Sequence, residues 1–305
     1  MDEVLMGLVG TCDAEGVRRR LLELDRSVLG KPTCGSDESG TILHVAAGRS
    51  PYTVGTLKPL LEHMDEEQAS LLDGNGDTAL NILLRKSFRG TDVAPAEEAA
   101  VRMAHMLKKS VVTNGPRSAL EVACQNHRLP VIAVFMDRFG DGVLLEGRDT
   151  GESWLSELFK HPWDEERSKD DEEALLRMID AVPADELRSF EQTYSLMSRC
   201  YPPSAIKQVL RRQTEGGRTP IVGDHRGNLL HAAVVLFDTM RARDDVLAAI
   251  LPFMQPSHFI QQGGSDDCEG LTPSEVARRE GENLGDAWLL ETAVLLQPMA
   301  TKAAA

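Results

Sequence analysis

The sequence predicts an all-helical protein built from stacked helix-turn-helix units, and three observations support this fold class. A motif that begins with a small polar residue and continues with apolar and small residues recurs along most of the chain. The segments that follow it carry apolar residues three and four positions apart, which is the pattern of a helix with one buried stripe. Aromatic residues make up only 5% of the chain, which suits thin layers of small helices better than one bulky core.

The recurring motif opens the first helix of each predicted unit. The openers are Thr41, Thr78, Ser118, Ser153, Thr193, Asn228 and Thr272, at intervals of 37, 40, 35, 40, 35 and 44 residues. Thr193 is selected by the period rather than by its own context. A Thr, Ser or Asn in this place accepts a hydrogen bond from an otherwise unpaired amide at the helix start.

A second, apolar helix is predicted after the openers. Examples lie at residues 56–61, 101–107, 131–136, 174–179 and 246–251. A single helix pair cannot bury its own apolar face, so neighbouring pairs must stack. Residues Val4 to Leu22 are interpreted as one more helix pair, which caps the start of the stack.

The clearest copy of the motif, Gly40-Thr41-Ile42-Leu43-His44-Val45-Ala46-Ala47, resembles the helix-opening signature of ankyrin repeats, Thr-Pro-Leu-His followed by paired alanines. Residues 228–233 retain Leu-His-Ala-Ala, and residues 272–273 retain Thr-Pro. The resemblance extends from about Asp37 to Val294. It implies an ankyrin-type repeat solenoid with about seven repeats plus an N-terminal capping helix pair. The family period is about 33 residues, and every interval here is longer.

The predicted organisation has three parts. Residues 1–33 form the capping helices, residues 34–298 form the repeat array, which diverges in 151–215, and residues 299–305 form a flexible tail. The segment 87–96 is expected to be a loop before a helix. The acidic run at 161–173 is interpreted as an exposed loop, as the first turn of the next helix, where the helix dipole favours carboxylates, or as a site for a basic partner.

The formal net charge of −15 disfavours binding to nucleic acid phosphates. The five cysteines are scattered singly, which argues against a disulfide framework and a zinc site. The acidic start lacks the form of a signal peptide, and no run of 18 apolar residues occurs. We therefore expect a cytoplasmic protein, with the nucleus or export by a specialised secretion system as alternatives.

Motifs for catalysis and cofactor binding are missing from the sequence. It contains no P-loop, no G-x-S-x-G elbow and no H-E-x-x-H pair. Residues 73–77 begin like a calcium loop, but Thr78 and Leu84 stand where a glycine and a carboxylate are needed. We expect no catalytic residue, no cofactor and no metal. Cys124 is expected to be a small core residue, and the resemblance implies that His44 and His231 link a turn to its neighbour by hydrogen bonds.

Stacked repeats present an extended concave surface that suits the binding of another protein. The resemblance implies that contacts come from the turn tips and from the exposed face of the first helices. The matching residues are Asp37, Glu38, Asp73, Asn75, Asp77, Arg117, Asp149, Glu152, Asp224, Arg226 and Glu269. Most of them are acidic, so we expect a partner protein with a basic or amphipathic segment, and no nucleic acid, membrane or small-molecule substrate.

Two other functions stay open from the sequence. The chain could be an obligate structural or regulatory subunit anchored by Trp154, Trp163 or Trp288, and a microbial host-directed effector is a biological variant of the binding module. An enzyme site in residues 151–215 is the third reading. A deep pocket with converging ionisable groups would favour it, and continuous helix stacking would count against it.

Overall fold

Helices, turns and loops make up almost all of the computed structural model, which describes residues 2–32, 40–49, 54–86, 93–114, 117–146, 154–163, 167–224, 227–236, 243–264 and 270–304. A short antiparallel pair forms between β1 (Gly223–Asp224) and β2 (Gly227–Asn228). The predicted all-α class is confirmed. The chain forms two compact units, Met1–Trp154 and Leu155–Ala305, here called unit 1 and unit 2.

Unit 1 is built from helix pairs. They are α1 (Glu3–Gly10) with α2 (Ala14–Glu23), α3 (Ile42–Arg49) with α4 (Val54–His63), α6 (Ala79–Leu84) with α7 (Val93–Met106), and α9 (Ala119–Gln125) with α10 (Leu129–Phe139). The short helices α5 (Glu66–Ala69) and α8 (Lys109–Thr113) lie between pairs. The first helices pack in the order α1, α3, α6 and α9, and the second helices in the order α2, α4, α7 and α10. Consecutive pairs therefore form successive layers of this unit.

Unit 2 has the same kind of layering. Its helices are α11 (Trp154–Leu158), which begins at the unit boundary, α12 (Lys169–Ala181), α13 (Phe190–Ser198), α14 (Pro203–Gln213), α15 (Leu229–Val235), α16 (Arg243–Ile250), α17 (Pro256–Ile260), α18 (Pro273–Leu284) and α19 (Ala287–Ala304). The first helices α13, α15 and α18 pack in sequence order. The second helices α12, α14 and α16 do the same, and α19 packs on α17 and α18.

Four of the predicted openers, Thr78, Ser118, Asn228 and Thr272, directly precede a helix as predicted. Thr78 and Ser118 each accept a hydrogen bond, of 3.1 Å, from the backbone N–H three residues later. Asn228 accepts one of 3.0 Å from Leu230, and Thr272 forms a capping box with Glu275. Each such cap stabilises a helix by about 1 kcal/mol, so the sequence motif locates these helix starts.

Small and aliphatic side chains fill the space between layers. Ala46, Ala47 and Ala123 on the first helices are fully buried, as are Leu80 and Leu83. Alanines let neighbouring helices approach closely, and burying each leucine contributes about 1.5–3 kcal/mol. Cys124 is buried among them as the predicted small core residue.

Basic side chains also connect one layer to the previous one. Lys86 donates to the carbonyl of Gly48 at 2.8 Å, and Arg128 donates to the carbonyl of Lys86 at 2.8 Å. In unit 2, Arg212 reaches the carbonyl of Val182 at 2.6 Å. The acceptors lie at or just beyond the carboxyl ends of helices, where carbonyl groups lack helical partners and a positive charge is favourable.

The turn between the two helices of a pair recurs with one geometry. Cys12, His127 and Cys200 all have positive φ angles, of 61°, 55° and 59°. The next residue in each turn donates its N–H to the carbonyl five residues back, at 2.8–3.0 Å. This is the hydrogen bond of a Schellman-type helix end, whose left-handed residue is most often glycine.

The opener at Thr193 is a wrong prediction. Thr193 lies buried inside α13, which begins after Ser189, four residues earlier. Ser189 divides the interval between Ser153 and Asn228 into 36 and 39 residues. Its side chain makes no hydrogen bond to the helix start and no glycine precedes it, so its context gave no motif to recognise.

Three other segments differ from or refine the expectations. Helix α7 already begins at Val93, so the end of the expected 87–96 loop is helical and residues 87–92 lie outside the described residues. Part of the acidic run belongs to the first turn of α12, where Asp171 and Ser168 form a capping box. Helix α19 continues through Met299 to Ala304.

We predict that Cys12→Gly stabilises unit 1. Cys12 is exposed, and its left-handed backbone costs an ordinary L-residue about 1–2 kcal/mol. Part of this gain is lost because glycine has more freedom in the unfolded chain. We expect the free energy of unfolding in urea to rise by about 0.5–1 kcal/mol. Cys12→Ser, which keeps the Cβ atom, should leave it unchanged; equal stabilities of the two variants would contradict the prediction.

Candidate functional site

The turn between α5 and α6, residues 73–77, is a rigid tip. The Asp73 carboxylate accepts the backbone N–H of Asn75 at 2.8 Å and that of Asp77 at 2.9 Å. The Asp73 N–H donates to the Asp77 carbonyl, and the Gly76 N–H donates to the Asp73 carbonyl. Gly76 adopts a φ of 79°, which glycine tolerates without strain. Gly74, Asn75 and Gly76 are exposed above this base.

Asp77 serves the inside of the fold. Its side chain is buried and receives two hydrogen bonds from the Arg85 guanidinium, at 2.6 and 2.8 Å, and one from Arg117 at 3.2 Å. Burial alone would raise the pKa of Asp77, but the hydrogen bond and charge of Arg85, the hydrogen bond of Asn81 and the charge of Arg117 outweigh burial and lower it. The same pairing raises the pKa of Arg85. The carboxylate therefore anchors the tip to the next layer and stays ionised.

His44 links its layer to the tip of the next one. The Thr41 N–H donates to His44 Nδ1 at 3.0 Å, and His44 Nε2 lies 3.0 Å from the Asp77 carbonyl oxygen. Since a carbonyl only accepts, Nε2 carries the proton and Nδ1 is the acceptor. Burial lowers the pKa of His44, which favours this neutral form.

Asn81 and His231 repeat the link at the same distance from their openers. Asn81 Nδ2 donates to the Arg117 carbonyl at 2.7 Å. His231 Nε2 donates to the Leu271 carbonyl at 3.0 Å, and burial lowers the pKa of His231 as well. All three acceptor carbonyls, including that of Asp77, belong to the residue directly before the next opener. The predicted structural role of His44 and His231 is confirmed, and Asn81 performs the same role with an amide.

A glycine accompanies each linking histidine. A Cβ atom on Gly40 would lie 2.5 Å from His44 Cγ, and one on Gly227 would lie 3.2 Å from His231 Nδ1. Asp77 occupies the same position relative to Asn81. The shorter asparagine leaves room there for a side chain, so the residue four positions before the link must match the size of the linking group.

The exposed surface around the tip combines polar and apolar groups. Asn75 and Arg117 are exposed, and the side chains of Leu71 and Leu72, next to the tip, are 37% and 53% exposed. Ile82 on α6, five residues after the tip, is partly exposed. Such a surface can accept and donate hydrogen bonds and bury aliphatic groups of a partner.

The structure brings four of the expected binding residues into one part of unit 1: Asp73, Asn75, Asp77 and Arg117. Of the remaining residues, Asp37, Glu38, Asp149, Glu152, Arg226 and Glu269 lie outside the described residues, and Asp224 is described only for its backbone, in β1. Sequence reasoning missed Arg85, which holds Asp77. A signal for Asn81 was available, because it stands three residues after its opener, as His44 does.

The divergent segment 151–215 contains packed helices. Tyr201 is buried, donates to the Leu158 carbonyl at 2.9 Å and meets the Phe159 ring edge-on with centroids 5.5 Å apart. Burial raises its pKa. A shallow groove of about 390 Å³ crosses α12, α14 and α16, and its lining includes Glu172 and Lys207. The Ser204 hydroxyl already donates to Glu172. Helix α12 packs on α14 in this segment.

The three tryptophans that would anchor a subunit interface make internal contacts. Trp154 is buried and donates to the Glu146 carbonyl at 3.2 Å. The rings of Trp163 and Tyr201 are in tilted contact, with centroids 5.3 Å apart. Trp288 is half-buried and donates to Asp244 at 2.8 Å. Trp154 is thus buried, whereas Trp163 and Trp288 are partly exposed.

No protein-family model matches the sequence, and no curated protein is significantly similar to it. None of the helices in the described part of the chain has the length and apolar character needed to cross a bilayer. Among the same residues, no three His, Cys, Asp or Glu side chains are grouped so that they could hold a metal ion.

We predict that Gly40→Ala and His44→Asn are coupled. Gly40→Ala alone should lower the free energy of unfolding by about 1–3 kcal/mol, because the new Cβ overlaps the imidazole. In the His44→Asn background the same change should cost much less, since the arrangement then matches Asp77 and Asn81. A double-mutant cycle measured by urea unfolding tests this. Additive effects of the two substitutions would contradict the size-matching rule.

We also predict that His44 contributes to the pH dependence of stability. Its folded pKa lies below the unfolded value of about 6.5, so its full contribution is present above that pH. As the pH falls below about 6.5, the unfolded chain takes up a proton that the folded chain excludes, and stability falls by up to about 1.4 kcal/mol per pH unit. Urea unfolding between about pH 7.5 and 5.5 should show a shallower pH dependence for His44→Asn than for the wild type. Parallel curves would show that His44 does not titrate in this way.

Proposed function

We propose that the chain is an ankyrin-type repeat protein that binds another protein through the turn tips of its repeats. The observation that carries this proposal is the tip at residues 73–77. The fold holds it rigidly from below, while Asn75 and the neighbouring Leu71 and Leu72 face solvent. A rigid exposed tip loses little conformational entropy when a partner binds.

The repeat assignment is supported by features that recur in the described residues. Helix pairs form layers in both units, and links from His44, Asn81 and His231 end on the carbonyl before the next opener. With α1 and α2 as the N-terminal capping pair, the pairs that begin with α3, α6, α9, α11, α13, α15 and α18 correspond to the seven proposed repeats. The longer period reflects second helices and loops that exceed those of a 33-residue unit.

The partner that we propose carries a basic or amphipathic segment. The chain has a net charge of −15, which attracts cationic segments over several ångströms and raises association rates. Asp73 and Asp77 are occupied within the fold, so their direct contribution to binding is small. Close contacts at the tip are assigned to Asn75, Leu71 and Leu72. In this proposal the protein acts in the cytoplasm or nucleus as an adaptor, without catalysis or a cofactor.

The experiment begins by immobilising the intact protein, passing native cell lysate over it and identifying the proteins that elute across a salt gradient. A candidate partner is then produced pure and titrated against the wild type and variants. Release at moderate salt supports the charge complementarity, because screening weakens exposed charge pairs. A folded protein that retains no specific partner would weaken the adaptor proposal.

We predict that Asn75→Lys weakens binding of the identified partner at least about tenfold. The substitution places a cation on the exposed tip, where it repels a basic segment, and leaves the hydrogen bonds of Asp73 to the backbone intact. Isothermal titration calorimetry gives the affinity, and thermal unfolding monitors the fold.

The matched control is Leu22→Lys, which adds the same charge at a position on α2 that is 75% exposed. It should leave the affinity for the partner unchanged. Equal losses of affinity in both variants would mean that the net charge of the chain, rather than the tip, governs binding.

We predict that Asp77→Asn lowers the free energy of unfolding by about 1–3 kcal/mol, because Arg85 and Arg117 lose a charged acceptor.

A further inference from the structure

Helix α19 presents an apolar face to solvent. Leu289, Thr292, Ala293 and Leu296 on one side of this helix are buried, and α18 and α17 pack against it. The opposite side, here called the outward face, consists of Ala287, Glu291, Val294, Leu295 and Pro298, all exposed. Val294 is 70% exposed and Leu295 is 47% exposed. Exposed aliphatic groups side by side on one helix mark an interaction site more often than isolated ones do.

Pro298 gives the outward face an unusual acceptor. It lies inside α19 and has no backbone N–H, so the carbonyl of Val294 loses its normal helical donor four residues later. Glu291 lies three residues before Val294, which places the two on neighbouring positions of the helix surface. Glu291 has no ion-pair partner among the described residues. One region of the face therefore combines a carboxylate, a carbonyl without its helical donor and aliphatic side chains.

We propose that the outward face of α19 binds an amphipathic helix of a partner protein that carries Lys or Arg beside an apolar stripe. The apolar stripe covers Val294, Leu295 and Pro298, as in other complexes where an amphipathic helix docks by its apolar side. A cationic head group donates to the Glu291 carboxylate and the Val294 carbonyl. This surface lies in unit 2 and uses none of the turn-tip residues, so it stands or falls separately from the proposed function.

Charge complementarity selects this occupant over two others. A second copy of the chain, docked face to face through α19 so that the two Glu291 side chains meet, would add a second carboxylate to the face. A lipid surface with anionic head groups would repel both Glu291 and a chain of net charge −15. A helix with Lys or Arg supplies the missing positive charge and donors.

The test uses the full chain and a fluorescein-labelled amphipathic peptide of Leu and Lys, about five turns long. Two comparison peptides have Glu in place of every Lys, or the same Leu and Lys residues in an order without an apolar stripe. Fluorescence anisotropy should show saturable binding of the amphipathic Leu/Lys peptide and at least about tenfold weaker binding of both comparison peptides.

Variants locate the binding. Val294→Lys should weaken binding of the Leu/Lys peptide at least about tenfold. Circular dichroism should show unchanged helicity, because the side chain at position 294 faces solvent. Glu291→Lys should weaken binding of the Leu/Lys peptide and strengthen binding of the comparison peptide that has Glu in place of every Lys. Leu22→Lys, which adds one positive charge at a 75% exposed position of α2 in unit 1, is the matched control and should leave peptide binding unchanged.

Four results would overturn the proposal. They are no saturable binding of the Leu/Lys peptide, equal weakening of its binding by Leu22→Lys and Val294→Lys, equal binding of the ordered and disordered Leu/Lys peptides, and a dimer in sedimentation that Val294→Lys dissociates. The last result would assign the face to a second copy of the chain. Peptide binding that survives in Asn75→Lys while the protein partner is lost would separate this face from the turn tip.

Discussion

Where the recurring His or Asn is present, one hydrogen bond fixes neighbouring layers relative to each other: a side chain on a first helix donates to the carbonyl that precedes the next first helix. Apolar contacts between alanines and leucines supply most of the free energy of stacking, but they have little directional preference. The bond from His44 to the Asp77 carbonyl fixes the position of one layer relative to the next. Its geometry requires a neutral, buried imidazole, and the opener Thr41 supplies the donor that keeps Nδ1 an acceptor.

Much of this architecture could be predicted from the sequence, because its determinants are local. The openers Thr78, Ser118, Asn228 and Thr272 each act within three residues of their own position, so a motif records them. The start of α13 was predicted wrongly because Ser189 makes no side-chain cap and therefore leaves no motif in the sequence. Contacts between layers left a sequence signal only where they use the recurring His or Asn.

The position of the candidate site could be predicted from the sequence, but the roles of its side chains could not. The turn at residues 73–77 follows from its glycines and aspartates, and the sequence identified it as a tip. The sequence does not show that the Asp77 carboxylate pairs with Arg85 and Arg117, because this pairing depends on where the next layer places Arg117. The excess of acidic residues in the chain therefore does not show which carboxylates are available at a particular surface. The residues left to a partner at this tip are an amide and two leucines.

The residue at the link position decides whether the following layer receives this hydrogen bond. His44, Asn81 and His231 can donate to a following turn, whereas Glu121 and Glu275, at the matching positions, are carboxylates with no N–H to give. Glu121 lies on α9, the last first helix of unit 1 in the described chain, and Glu275 lies on α18, the last of unit 2. A duplication of the segment that encodes a His- or Asn-bearing pair would lengthen a unit with its connections intact. A duplication of a Glu-bearing pair would create a junction that lacks the linking hydrogen bond. The codon at this one position in each copy therefore influences how the array can grow.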